Sequence, residues 1–271
     1  MRALLRQFVL FCGVLIIYST ATAQSPYEIS WKKDLPLVLG GAGGLTTGLI
    51  LYSNLDVFDA EIDRIPSTSS INAFDRPATR NWSTTSGNIS DVFLYGSAAL
   101  PLALMLDRDM RRDAKYIAPL FAETFIITQG LTSLTKTITK RYRPFVYNEN
   151  VGVELKEDKH ARLSFISGHT ATVASLSYFT ARVFSDYHPD SKWKPVVWSA
   201  AAVLPAATGF LRVRAGKHFT TDVIGGYLVG AAVGLLVPWL HRKDKKKRRK
   251  YSIKPFAGAD ASFRLVYRQL W

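Results

Sequence analysis

The sequence predicts an all-α fold: a multi-helix, membrane-embedded bundle of about six apolar helices, with a small C-terminal β-hairpin. Three observations predict it. Hydrophobic residues make up 48% of the 271 positions. They gather into six long runs, roughly Leu35–Leu51, Val92–Leu106, Tyr116–Leu134, His169–Val183, Pro195–Leu211 and Val223–Leu240. Several runs, such as "VVWSAAAVLPAATGFL" and "VIGGYLVGAAVGLLVPWL", are apolar all round, as helices are when core or lipid surrounds them. Their Ala and Gly content lets helices approach closely. Each run lies at or just below the roughly 20 residues that cross a bilayer, and mean hydropathy is only +0.04. A secreted soluble bundle is therefore the alternative that length leaves open.

The elements follow in order. "MRALLRQFVLFCGVLIIYSTATAQ" has the layout of a secretory signal, with Arg2 and Arg6 ahead of an apolar stretch from Phe8 to Tyr18. Small residues at Ala21 and Ala23 place cleavage after Ala23; an uncleaved anchor helix is the competing reading. The only cysteine, Cys12, lies inside this segment. The processed chain then has no thiol, which excludes disulfides, thiolate metal sites and cysteine nucleophiles. The expected organisation is a signal peptide over 1–23, an N-terminal helix and polar loop over 24–89, a catalytic helical bundle over 90–241, and a basic segment with a hairpin over 242–271. In the last part, "YSIKPFAGADASFRLVYRQLW" alternates on both sides of a turn-like Ala257–Asp260, the pattern of a β-hairpin.

The net charge is +14. Eight cations and one acid in "RKDKKKRRK" (242–250) supply +7 of it and leave +7 elsewhere. Such a balance favours anionic partners. No nucleic-acid-binding signature is present, so nucleic acid is not among the expected partners. If all six runs cross, the basic tail puts itself and residues 24–34 in the cytoplasm, and loops 54–91, 135–168 and 212–222 in the periplasm. A signal cleaved after Ala23 would instead deliver residue 24 to the periplasm. The two rules conflict, and the Gly-rich run Leu35–Leu51 is the candidate not to cross.

Three polar patches sit at the edges of apolar runs. In "TKTITKRYRPF" (135–145), a helix would bring Lys136 and Arg143 onto one face, two turns apart, with Pro144 ending it. Such a pair can clamp an anion, Lys as a point charge and Arg through two oxygens. Interfacial cations flanking a membrane helix would look the same. In "SFISGHTATVASLSYF" (164–179), Ser167 is a good N-cap, and the N–H groups of Gly168 and His169 open a helix N-terminus, a natural phosphate seat. An ordinary cap followed by a surface histidine reads alike. In "LRVRAGKHFTTDVIGGYL" (211–228), Arg212, His218 and Asp222 stand out. Asp222 lies four residues after His218, where a carboxylate can fix one imidazole nitrogen and free the other. An interfacial histidine with a capping acid fits equally. Lys140 and Arg141 read as rim charge, and His160, His188 and His241 as exposed residues outside any motif.

Taken together, Lys-x6-Arg-Pro, Ser-Gly-His and Arg-x5-His-x3-Asp occur in this order, and the six-run topology puts all three on one side. This resembles the type 2 phosphatidic acid phosphatase / vanadium haloperoxidase superfamily over roughly residues 90–240. Ile166 stands where that superfamily usually has Pro, and Leu211 is bulkier than its usual small residue. The resemblance implies a phosphate site without metal or other cofactor. His218 would be the nucleophile that becomes a phosphohistidine, Asp222 its orienter and His169 the general acid. Lys136, Arg143, Ser167, Gly168 and Arg212 would hold the phosphoryl oxygens. It implies a phosphatase acting on a lipid-linked phosphomonoester or pyrophosphate, in contact with membrane lipids. The expected location is the bacterial cell envelope, at the inner membrane, with the site facing the periplasm. A soluble acid phosphatase, a vanadate-dependent haloperoxidase and a non-catalytic scaffold that binds acidic lipid are the alternatives. Nothing in the sequence fixes an oligomeric state.

Overall fold

A computed structural model of the chain describes residues 25–55 and 67–243, and the strands at 251–255 and 263–267. The signal-like segment 1–23, most of the basic run and the turn expected at 257–260 lie outside the described residues. Helix α1 (Trp31–Ser53) opens at Ser30, whose N–H donates to Asp34 Oδ2 at 2.8 Å. It packs along α3 (Ala114–Thr139) through small residues. A Cβ at Gly130 would lie 2.2 Å from the Gly41 carbonyl oxygen, so the two backbones touch. Helix α2 (Thr84–Ser97) starts at the N-cap Ser83 and continues into shorter helical turns as far as Arg112.

Helix α3 ends sooner than the spacing suggests. Lys140 takes the left-handed conformation, φ 46°, and the chain leaves the helix there. Lys136 is therefore helical while Arg143 is extended, at φ −80° and ψ 155°. The expected single helical face carrying both does not form. A left-handed residue breaks the helical register, and the residue before Pro144 is driven to extended geometry.

Helix α4 (Gly168–Tyr187) is the centre of the bundle. Its Ala171, Val173, Ala174, Leu176, Phe179 and Val183 are buried. It lies against α2, α3, α5 (Lys194–Arg214) and, most extensively, α6 (Thr220–Leu240). A row of glycines on α6 makes that approach possible. Cβ atoms at Gly226, Gly230 and Gly234 would sit 2.5, 2.1 and 2.3 Å from the carbonyl oxygens of Ser167, Ala171 and Ser175.

Among the described residues, five helical stretches are long and apolar enough to cross a membrane: 31–53, 84–106, 114–147, 194–214 and 220–240. Leu35–Leu51, the candidate not to cross, lies in the first of them. The run around His169–Val183 is not among them. Its helix, α4, is rich in Ser and Thr and carries Arg182 and Asp186, and most of its residues are covered by neighbouring helices. The five stretches expose large apolar side chains outward, among them Leu39, Val92, Leu102, Val203, Phe210, Leu228 and Leu236. Lipid tails can cover such faces at no cost in hydrogen bonds.

The bundle has two chemically distinct ends. At one, Tyr27 pairs with Arg242 in an isolated β-bridge and its hydroxyl donates to Asp186 at 2.9 Å. At the other, α3 and α5 finish while α4 and α6 begin. Beyond the bundle, β1 (Tyr251–Pro255) and β2 (Phe263–Tyr267) pair antiparallel.

Candidate active site

The four helix ends bring the three sequence patches together. Ser167 caps α4, and its Oγ accepts from Thr170 N–H at 3.5 Å. Gly168 and His169 then present the first N–H groups of the helix, which have no intrahelical partner. Lys136 reaches this terminus from α3. A Cβ on Gly168 would lie 3.3 Å from its Nζ, so glycine leaves room for the ammonium beside the helix mouth. Dipole and ammonium both favour an anion there.

Arg212 and Arg143 approach from the other sides. Arg212 is buried near the end of α5. Its Nη1 donates to Ser90 Oγ at 3.2 Å and to Asp91 Oδ1 at 3.4 Å, while its Nε has no partner. A buried guanidinium N–H without an acceptor is costly unless an anion takes it. Arg143 is anchored by donating from Nε to the His160 carbonyl at 2.8 Å, with Nη1 3.4 Å from the Lys217 carbonyl. A cleft of about 440 Å³ opens over Arg143, His169, Arg212 and Lys217, with Asp91, Asp158 and His160 on its walls. His218, Lys136 and Ser167 do not line this cleft. His218 and Ser167 are buried, and Lys136 lines a second cleft of about 270 Å³ between α1 and α3.

A helix stop sets the position of His218. Gly216 has φ +68°, Gly216 N–H donates to Val213 O at 3.0 Å, and Lys217 N–H donates to Arg212 O at 3.1 Å. This is a Schellman ending for α5, and it turns the chain toward α6 within three residues. His218 Nδ1 lies 2.8 Å from the Ser164 carbonyl oxygen. A carbonyl only accepts, so Nδ1 carries the hydrogen and Nε2 of the neutral ring keeps its lone pair. Burial first, then the positive charges of Arg143, Arg212 and Lys136, hold the His218 imidazole well below the ordinary histidine range. At neutral pH this favours the neutral ring.

Asp222 holds His218 less directly than expected. Its Oδ2 is 3.7 Å from His218 Nδ1, beyond hydrogen-bond reach. His218 precedes the first turn of α6 rather than sharing it, and the Ser164 carbonyl takes the imidazole hydrogen. Asp222 Oδ2 instead accepts from Phe219 N–H at 2.8 Å and from Ser164 Oγ at 2.5 Å. The carboxylate thus fixes the turn that carries His218 and the segment that supplies its acceptor.

The sequence reading also missed several contributors. Arg141 is not rim charge. Its Nη1 donates to Asp222 Oδ1 at 2.5 Å, its Nη2 to Asp75 Oδ2 at 2.7 Å, and its guanidinium lies over the Phe219 ring. Asp75 in turn accepts from Thr221 N–H and Oγ. Burial alone would raise the Asp75 carboxyl; the hydrogen bonds from Thr221 and Arg141 outweigh it and lower it. Asp91 lies 2.7 Å from His169 Nε2 and 3.4 Å from Arg212. One signal could have found it, since it is the only charge in the otherwise uncharged apolar stretch 84–106. Lys217 adds a cation to the cleft, its ammonium lowered by burial and then by Arg143 and Arg212. His241, read as exposed, is fully buried at the opposite end.

A helical bundle whose helix ends gather cations, an open helix N-terminus and a histidine is chemically suited to an anion. Residues 118–246 match the PAP2 superfamily profile. It is 36% identical over 88 residues to phosphatidylglycerophosphatase B of Bacillus subtilis, covering 32% of this chain and 43% of that protein. It is 29% identical over 123 residues to lipid A 4'-phosphatase of Porphyromonas gingivalis, covering 45% and 49%. The chain thus spans less than half the length of these relatives. A crystal structure of a transmembrane PAP2-type phosphatidylglycerolphosphate phosphatase from Bacillus subtilis aligns with a TM-score of 0.47 and 21% identity, over 78% of this chain and 98% of that one.

Proposed function

We propose that the protein is a membrane-embedded phosphatase that transfers the phosphoryl group of a lipid-linked phosphomonoester or pyrophosphate first to His218 and then to water. The observation that carries this reading is the His218 tautomer, with Nδ1 held by the Ser164 carbonyl and the Nε2 lone pair left over, near the buried Arg143 and Arg212 and the half-buried Lys136. Nε2 attacks phosphorus and the bond to the leaving oxygen breaks. His169, held against Asp91, gives that oxygen a proton. Water then attacks the phosphohistidine while His169 takes the proton back, and the N–P bond breaks to release phosphate. Lys136, Arg143, Arg212, Ser167 and the Gly168 N–H stabilise charge on the equatorial oxygens. No step needs a metal, and the catalytic unit is the bundle 90–241. The names of the curated relatives support phosphatidylglycerophosphate and lipid A phosphates as the first substrates to try. The apolar cleft between α1 and α3 supports a lipid substrate, because it runs along Leu45 and Leu49 and reaches Lys136 and His160. Phosphate release by the purified protein from a panel of lipid and soluble phosphates tests the reading. Release from neither class sinks it, and halide oxidation by peroxide in the presence of vanadate would assign the haloperoxidase reaction instead.

The proposed location is the inner membrane of a bacterial envelope, with the site on the periplasmic face. The Tyr27–Arg242 bridge puts residue 27 and the start of the basic tail at one end of the bundle. A cytoplasmic tail and export of residue 24 by a cleaved signal therefore exclude each other. The density of cations at 242–250 supports the cytoplasmic tail, and with it a leading segment 1–23 that remains attached.

A further inference from the structure

At the end of the bundle remote from the phosphate cleft, three ligand-type side chains from three helices converge. Asp34 lies in the first turn of α1, Glu123 within α3, and His241 at the C-terminus of α6. His241 Nε2 is 2.6 Å from Asp34 Oδ1 and 3.5 Å from Glu123 Oε2, and the three donor atoms all lie within 4.8 Å of one another. His241 is fully buried and Glu123 is 3% exposed. Glu123 Oε2 has no hydrogen-bond partner.

We propose that Asp34, Glu123 and His241 form a binding site for one divalent transition-metal ion of the zinc class. His241 Nδ1 is 2.7 Å from the Val237 carbonyl oxygen, so Nδ1 carries a hydrogen and Nε2 is the ring nitrogen that faces the two carboxylates. Three acceptors then face one another, and a shared cation or proton is what would hold them together. A proton on Nε2 satisfies Asp34 but leaves Glu123 Oε2 unpaired. A divalent ion accepts all three, and two carboxylates cancel its charge in a buried place. Ligands of a tetrahedral zinc ion at about 2.1 Å stand about 3.4 Å apart, which the 3.5 Å between His241 and Glu123 matches, while the 2.6 Å between His241 and Asp34 would open on binding. Outer contacts are also in place, since the Val237 carbonyl orients the imidazole and Ser30 N–H donates to the second Asp34 oxygen. The donor set is nitrogen and oxygen without thiolate, which suits zinc or manganese and is too small for calcium. The ion would clip α1 to α3 and α6. Glu123 precedes Lys136 by thirteen residues of one helix, about 20 Å along its axis, so the site is separate from catalysis.

The test uses the full chain purified in detergent without an affinity tag, loaded with Zn2+ or Mn2+ and desalted. Elemental analysis should find about one ion per chain, and binding should weaken about tenfold or more in Glu123→Gln, a near-isosteric change. Added Zn2+ should raise the thermal midpoint of the wild type and not that of Glu123→Gln, while phosphate release by the folded variant is kept. If Glu123→Gln does not accumulate, Asp34→Asn makes the same comparison. Co2+ loading of the wild type should give visible bands that Zn2+ removes. A wild type that retains no stoichiometric ion overturns the proposal in favour of a simple ion pair, as does a folded variant that binds as tightly as the wild type.

Discussion

His218 depends on one backbone oxygen for its chemistry. The Ser164 carbonyl fixes its tautomer and burial keeps it neutral. His218→Ala should lower turnover by several orders of magnitude in a folded protein, read as phosphate release, because the covalent route is gone. The pH dependence follows from the sign of the shift. A histidine lowered from 6.5 stays unprotonated until pH falls to that lower value. The acid limb of kcat/KM due to His218 should therefore lie below pH 6.5, and a limb at or above that value would contradict the buried neutral ring. Lys217, also lowered, loses its charge sooner as pH rises, so substrate binding should weaken before the ordinary lysine range. Asp91 acts through His169. Asp91→Asn should reduce kcat more than it raises KM, and Asp91→Glu should recover part of the loss; equal activity of all three would remove Asp91 from the site. Arg141 stands between two fully buried carboxylates. Arg141→Gln leaves both uncompensated and should cost about 3–5 kcal/mol, visible as a lower thermal midpoint.

Among the elements, the contact of α4 with α6 decides whether the site assembles. Ser167 and Asp222 sit at the adjoining N-termini and are joined by a backbone hydrogen bond of 2.9 Å from Ser167 N–H to Asp222 O. Gly226, Gly230 and Gly234 let the helices meet there. Gly230→Ala would place a methyl group 2.1 Å from the Ala171 oxygen. Backbone cannot rotate away as a side chain can, so α6 must shift, at about 1–3 kcal/mol for such overpacking. The expected result is a lower thermal midpoint with a matching loss of phosphate release; an unchanged midpoint would mean that the helices tolerate the gap. Gly216→Ala is harsher for local reasons. It combines a left-handed φ of +68° with a Cβ 2.2 Å from the Asn81 oxygen, two residues before His218.

For the whole molecule, sidedness is the open geometric quantity that function depends on. Asn150 is exposed in the loop beyond Arg143, near the phosphate end, and Ser252 follows the basic run. With Cys12 replaced by Ala, single cysteines at these positions report the two ends. A membrane-impermeant thiol reagent on spheroplasts should label Asn150→Cys and spare Ser252→Cys. The reverse pattern would turn the phosphate site toward the cytoplasm. The mass of the purified chain adds an independent reading, because a chain that begins at Gln24 would contradict a cytoplasmic tail, given the shared end of residue 27 and the start of the tail.

Much of this was legible in the chain itself. Long apolar runs report helices because a low-dielectric surround admits few other backbone arrangements. Ser-Gly-His at a helix start and Arg-x5-His-x3-Asp at another mark their chemistry because caps, cations and histidines are needed in a fixed local order. Pro144 announced that the helix must end, and the helix did end, at Lys140. Tertiary structure decided what depends on distance through space. Nothing in the spacing of His218 and Asp222 tells that a carbonyl 54 positions away, that of Ser164, intercepts the imidazole hydrogen. Arg141 looked like surface charge because its partners Asp75 and Asp222 are remote in sequence. The run at His169–Val183 looked like a sixth membrane helix because composition records apolarity and not which neighbours cover it. His241 looked exposed because only the packing of α1 and α3 on α6 brings Asp34 and Glu123 to it. Local order is written along the chain, whereas burial and long-range pairing arise only when the helices pack.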